Sequence, residues 1–277
     1  MLAQSAYGKS RIRIVQVRRG ADRDDLRDLT VAIRFKGRYD ESYTDGDNTA
    51  VLPTDTMKNT VYALAAREPV HDPEPFALRL AHHFRDRNPR LAQSRVEVIE
   101  HLWGRIRRGE REHGHAFARI GPETRTALVQ ASRRRTVVGA GIADLLILKS
   151  AGSAFSTFLR DEYTTLADTE DRLLATSLTA TWRYRDADVN FGPVWHAVRR
   201  TLLDVFAEHR SASVQHTLFA MGQAVVDTID EVSAIRLVMP NKHHLPVDLS
   251  RLGLENRNEI FVPTDEPHGL IEATITR

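Results

Sequence analysis

Residues 10–19, SRIRIVQVRR, alternate apolar with charged side chains, and residues 29–37, LTVAIRFKG, put Val31, Ile33 and Phe35 on one side of an extended chain. A period of two belongs to a strand with one buried face, so both segments are predicted strands. The period lengthens after a turn-rich stretch ending in Asp45-Gly46-Asp47-Asn48. There Pro53-Thr54-Asp55 precedes Met57, Val61 and Leu64 at helical spacing, which predicts a helix with Thr54 or Asp55 near its cap. Asp72-Pro73 opens a second helix with Phe76, Leu80 and Phe84 on one face, and residues 96–106 and 115–119 read as extended again.

From about residue 124 the same order returns. Strands are predicted over residues 126–138 and 144–149, then an inserted helical segment over 154–174, then a strand over 178–184. Two amphipathic helices follow, one carrying Val194, Val198, Leu202 and Val205, the other Val214, Leu218, Met221 and Val225. Strands over 232–239 and 270–275 close the chain. An antiparallel sheet with a helix pair on one face is an α+β layer arrangement. Its double occurrence predicts a duplicated chain, with units at 1–123 and 124–277. The repeat is one of element order, without residue-level self-similarity.

Composition narrows the function. The 277 residues suit two ordinary domains, and 42% apolar with 27% charged residues is the usage of a folded globular chain. Lys and Arg number 39 against 37 Asp and Glu, interspersed along the length, which is not the footprint of a nucleic-acid binder. The basic runs at 105–111 and 133–135 read as solvated faces of strands or turns. Cysteine is absent, which excludes disulfides, thiolate metal sites and a cysteine nucleophile. No run approaches the roughly 18 apolar residues of a membrane span, and the first residues lack the apolar core of a signal peptide, so a cytoplasmic location with no membrane partner is expected.

Several strings are more specific: Tyr7-Gly8-Lys9 with Arg13, TDTMKNTVY at 54–62, FLRDEYTTL at 158–166, Asp171-Arg172, SASVQ at 211–215, PNKH at 240–243, and residues 267–271 containing Gly269-Leu270. In this order they resemble the urate oxidase (uricase) family over nearly the full length. The resemblance implies two tandem tunnelling-fold (ββααββ) units and a homotetramer around a tunnel, with active sites at subunit interfaces. It also implies oxidation of urate by O2 and water to 5-hydroxyisourate and hydrogen peroxide, without metal, flavin or haem. Two features depart from the eukaryotic members: Ser156 follows Phe155 where tryptophan is frequent, and Ile275-Thr276-Arg277 is not a peroxisomal Ser-Lys-Leu tail.

Urate is a planar, electron-rich anion, so its site needs a flat apolar wall, a positive fork in the ring plane and donors aimed at carbonyl oxygens. The resemblance assigns the fork to Arg172, the opposite clamp to the Gln215 amide with the Val214 backbone N–H, and the stacking wall to Phe155. Thr54 and Asp55 would offer free N–H groups at a helix start. Oxidation without a cofactor requires a second proton to leave urate, and a threonine hydroxyl does this only if an amine relays its proton. The resemblance gives that relay to Lys9, Thr54 and His243, and the placement of O2 or water to Asn241 with Thr54. Lys9, Thr54 and Asp55 would come from one subunit, and Phe155, Arg172, Gln215, Asn241 and His243 from its neighbour.

Taken alone, the same residues have plainer readings. Arg172 suits a helical surface ion pair with Asp168 or Glu170, Phe155 a core ring, Gln215 a polar first-turn residue, and His243 a loop histidine beside His244. His82-His83 and His113-Gly114-His115 are read as ordinary histidines, not a metal site. Two other functions stay open: another purine- or pterin-handling enzyme of this fold, such as a cyclohydrolase, and a purine-binding protein of this fold without catalysis.

Overall fold

The computed structural model describes residues 2–277, and the fold is α+β, with the order strand, strand, helix pair, strand, strand occurring twice. Contacts divide the chain into two compact units, one ending at Gly141 and including Arg183–Trp195, the other formed by Ile142–Trp182 and His196–Arg277. No helix among the described residues is long and apolar enough to cross a membrane.

In the first unit the strands lie in the order β1 (Tyr7–Arg18), β2 (Asp25–Gly37), β3 (Leu91–Arg108), β4 (Arg111–Ser132), antiparallel throughout. The alternation in β2 buries Leu29, Val31, Ile33 and Phe35 beneath two helices, α2 (Thr54–Arg67) and α3 (Pro73–Arg87), which follow the one-turn α1 (Asp40–Thr44). From α2 come Met57, Val61 and Ala65, and from α3 Phe76, Leu80 and Phe84, the last in edge contact with Phe35 at 5.1 Å. Gln16 fastens β1 to the helix layer, its amide donating to Ala65 O at 2.6 Å and accepting from Val70 N at 2.8 Å.

The same layer encloses an ion cluster. Arg125 on β4 donates to Glu74 at 2.7 Å and to Asp72 at 2.8 Å, both at the start of α3, and lies over the Trp195 ring at 5.2 Å. A guanidinium is the cation suited to such a place, because one planar fork serves two carboxylates and an aromatic face together.

The second unit orders its strands β5 (Thr136–Lys149), which enters it at Ile142, β6 (Leu174–Tyr184), β7 (Val232–Pro246) and β8 (Phe261–Thr276). Its helices are α4 (Phe191–Glu208), which enters it at His196, and α5 (Val214–Thr228), and α5 packs on β7 and β8 through Leu218, Met221 and Val225. Gly222 permits this approach, since a Cβ there would stand 2.5 Å from Ile275 Cδ1.

Two expectations need correction. The segment 154–174 is not helical: Thr157 has φ 57°, the Asp168 carboxylate accepts from Thr157 N, and Phe155 pairs with Thr169 as an antiparallel bridge. Ser, Thr and Asp side chains here satisfy the backbone locally and so compete with a helix. The strand expected over 126–138 is two: β4 ends at Ser132, whose hydroxyl accepts from Arg134 N and Arg135 N in a tight turn, and β5 begins at Thr136. Thr54 and Asp55 do stand next to the cap of α2: Pro53 is the cap itself, without a side-chain cap bond, and Thr54 is the first helical residue.

Candidate functional site

Lys9 owes its position to a fault in the β1–β2 ladder. Lys9 pairs with Ile33 but Ile12 pairs with Val31, so three steps on β1 match two on β2, and Arg11 takes φ 58°. One extra residue is a β-bulge, and it leaves Lys9 on the same side as Ile12, facing with Ile33 and Val31 toward the helix layer. Just before it, Tyr7 meets Phe35 and Tyr39 edge-on at 5.7 and 5.0 Å, and its hydroxyl accepts from Leu52 N at 3.1 Å. That bond ties the start of β1 to the approach to α2, and so Lys9 to Thr54.

Thr54 is half-buried at the head of α2. The first turn's bond there is Met57 N to Pro53 O at 3.2 Å, and Pro53 supplies no side-chain acceptor, so the amides of Thr54, Asp55 and Thr56 precede the ladder. The Asp55 side chain is exposed and turned along the helix, accepting from Lys58 at 2.5 Å and Asn59 at 3.0 Å. The hydrogen bond from Lys58 holds its carboxyl below the usual range, with Lys9 a smaller contributor. The structure thus brings Lys9, Thr54 and Asp55 together.

In the second unit a short extended spine, Gly152–Phe155, gathers the other group. Arg172 N donates to Ser153 O at 2.7 Å, Ala154 N to Ser211 O at 2.7 Å, and Ser211 N to Gly152 O at 2.9 Å. Ser213 then caps α5 by accepting from His216 N at 3.2 Å, which makes Val214 and Gln215 its first two residues, Val214 buried and Gln215 exposed. Phe155 stacks on Phe158 with centroids 4.9 Å apart and planes 11° from parallel. The Arg172 guanidinium carbon lies 5.2 Å from the Phe155 centroid. Its Nε is buried with no hydrogen-bond partner, and burial lowers its pKa from the usual value for arginine. Among the described residues no ion pair joins Arg172 to Asp168 or Glu170; Asp168 pairs with Arg160 at 3.1 Å.

Asn241 and His243 sit on β7, which runs past the expected end at Met239 to Pro246. A register shift between them in the β7–β8 pairing lets the Asn241 amide reach His243 Nδ1 at 3.5 Å, so His243 is a strand residue and not a loop histidine. A cleft of about 400 Å³ beside β7 is lined by Lys242 and His244, together with Leu146 and Leu148, and does not include the Asn241–His243 pair. The Arg172 Nε without a hydrogen-bond partner and the stacked Phe155 and Phe158 rings are not among its lining residues. Elsewhere His113 and His115 share one strand face, their rings 4.5 Å apart.

A family model for uricase matches residues 5–130 and 138–272. The chain belongs to the uricase family. It is 44% identical over 277 residues to a uricase of Arthrobacter globiformis, covering 100% of this chain and 90% of that protein. To a uricase of Danio rerio it is 35% identical over 280 residues, covering 99% and 94%. The crystal structure of the Arthrobacter globiformis uricase matches with a TM-score of 0.96 at 44% identity, over 100% of this chain and 95% of that one. A uricase from Bacillus fastidious, at 24% identity, shares the fold with a TM-score of 0.85 over 98% and 93% of the two chains.

Sequence reading gave no role to Phe158, although it opens the FLRDEYTTL string, nor to Asp171, although it adjoins Arg172. Asp171 accepts from Gly152 N at 2.7 Å and so fixes the spine. Lys149 was also passed over, and no periodicity marks it, because its partners are backbone carbonyls.

Proposed function

We propose that this urate oxidase makes its substrate oxidisable by proton removal alone, in a site shared between two copies of the chain. Arg172 grips one edge of the purine, the Gln215 amide and Val214 N–H clamp the other, and Phe155 stacks on the ring. The Thr54 hydroxyl takes a proton from urate and passes it to Lys9. The resulting dianion gives up electrons to O2 held by Asn241 and Thr54, and water adds with His243 moving its proton. The balance is urate, O2 and H2O to 5-hydroxyisourate and H2O2, with no metal or organic cofactor drawn in.

The observation that carries this reading is Arg172, a half-buried guanidinium with an unpartnered Nε beside an aromatic pair. Leaving such a donor buried without an acceptor costs about 1–3 kcal/mol, a cost a planar anion would relieve. The free amides at the head of α2 add a second place for negative charge. The shared site is supported by the grouping of the residues: Lys9, Thr54 and Asp55 lie in one compact unit and the remaining six in the other. A homotetramer in the cytoplasm is the expected assembly and place.

The test is urate in air-saturated, chelator-treated buffer, following loss of its near-ultraviolet absorbance and one peroxide formed per urate. A folded, assembled protein that leaves urate untouched, or that needs added metal or flavin, overturns the mechanism. The shared site is tested by co-expressing Lys9→Met and Arg172→Ala chains, each inactive alone. Random assembly should restore about a quarter of the sites, because some interfaces then join two intact halves. No recovery in mixed oligomers refutes sharing.

A further inference from the structure

We propose that Lys149 is a positioning residue for this oxidation: by holding the end of α4 to the end of β5, it sets where Gln215 stands relative to Arg172. The inference rests on the proposed role of those two residues as the clamps on the substrate.

Lys149 is the last residue of β5, and its Nζ donates to His209 O at 2.7 Å and reaches Phe206 O at 3.5 Å. These carbonyls stand where α4 ends, and the last carbonyls of a helix lack acceptors' partners within it and carry its negative dipole end. A lysine there satisfies both needs at once. Burial lowers the Lys149 ammonium from its usual value while the Asp171 carboxylate opposes that shift, so the charge is held partly out of water.

Two residues beyond His209, Ser211 pairs with the spine on both sides, and its hydroxyl donates to Ser213 O at 2.9 Å. Ser213 caps α5, so Gln215 is placed by a short chain of bonds that begins at Lys149. The other arm runs from the same spine, since Asp171 accepts from Gly152 N and Arg172 N donates to Ser153 O. Gly152 has φ 73°, and a Cβ on it would lie 3.7 Å from Lys149 Nζ, so the lysine packs over the residue that both arms share. The bonds of this arrangement lead to the backbone of Arg172 and to the cap of α5 before Gln215, so the expected effect is on grip.

The test measures the Kd of urate with oxygen excluded, so that binding is seen without turnover, beside KM and kcat in air. Loss of one charge-assisted hydrogen bond at this hinge should raise Kd and KM about tenfold in Lys149→Met, with kcat within about threefold of the parent. Lys149→Arg should recover most of the affinity, and Asp171→Ala should weaken binding in the same direction. Lys149→Met combined with Arg172→Ala should bind less than about threefold more weakly than Arg172→Ala alone, because both act on one clamp. A folded Lys149→Met that binds as the parent does, or that loses kcat with KM unchanged, overturns the proposal. Should Lys149→Met fail to fold, parental Kd in folded Lys149→Gln and Asp171→Ala overturns it equally. Parental Kd in Arg172→Ala would instead sink the substrate reading beneath it, whereas weakened binding in Arg172→Ala with none in the Lys149 variants rejects the positioning role alone.

Discussion

Arg125→Met removes a cation on which two carboxylates depend. Arg125 is 4% exposed and Glu74 0%, so their 2.7 Å contact is made away from water. Breaking a buried pair from one side costs about 3–5 kcal/mol, because the remaining charge stays buried. Loss of the contact with Trp195 adds about 1 kcal/mol. The cost should depend on pH. Burial pushes the Glu74 pKa up from 4.5 to about 7, against the opposing pull of Arg125. A raised carboxyl means that the folded state holds a proton the unfolded state has released. The stability this group contributes is thus full below 4.5 and is lost as pH rises through about 7. Without Arg125, Glu74 still escapes its burial penalty by taking a proton, so the variant should lose more at pH 8 than at pH 5. Urea unfolding at fixed protein concentration, followed by tryptophan fluorescence, measures both losses. Glu74→Leu added to Arg125→Met should regain most of the deficit. A loss under about 1 kcal/mol at pH 8, or a larger loss in acid, refutes the argument.

Other outcomes follow from the site. Lys9→Met should lower kcat by about a hundredfold or more, the usual worth of a proton-transfer group, with anaerobic urate Kd nearly unchanged; undiminished turnover removes the relay. Gly8→Ala should destabilise by about 3 kcal/mol in thermal unfolding, because its Cβ would stand 1.9 Å from the Ile33 carbonyl oxygen, and an unshifted Tm contradicts the close approach. Ser213→Ala should cost about 1 kcal/mol as a lost cap and raise KM for urate, with Ser213→Asp restoring both; a change in stability without one in KM would separate the cap from the clamp.

Much of the fold was legible because its signals are local. The alternation in residues 29–37 and the helical spacing of Met57 and Val61 were enough to place β2 and α2, since each element buries one face. What failed was structure fixed by side chain–backbone bonds. Phe155, Phe158 and Leu166 mimic a helical face, but Asp161 accepts from Tyr163 N and Thr164 Oγ1, closing turns that no apolar period reveals. The continuation of β7 through Asn241 and His243 was missed for a related reason: its second half is polar and only half-buried, so it does not alternate as strand residues facing a core do. For the site, the letters of Arg172 alone suited a surface ion pair and only the family resemblance singled it out; the structure adds that its Nε has no hydrogen-bond partner and that Asp168 pairs with Arg160 instead.

The supernumerary residue between Lys9 and Ile12 reverses the parity of β1. A strand counted evenly from Ile12 would turn Lys9 to the opposite side of the sheet, where Arg13 reaches Asp28. Deleting Ser10 or Arg11 would therefore carry the amine away from the head of α2 while leaving every proposed site residue in the sequence. Two chains identical at all of those letters can differ in which side of the sheet carries the lysine, and the length of this one hairpin arm decides it.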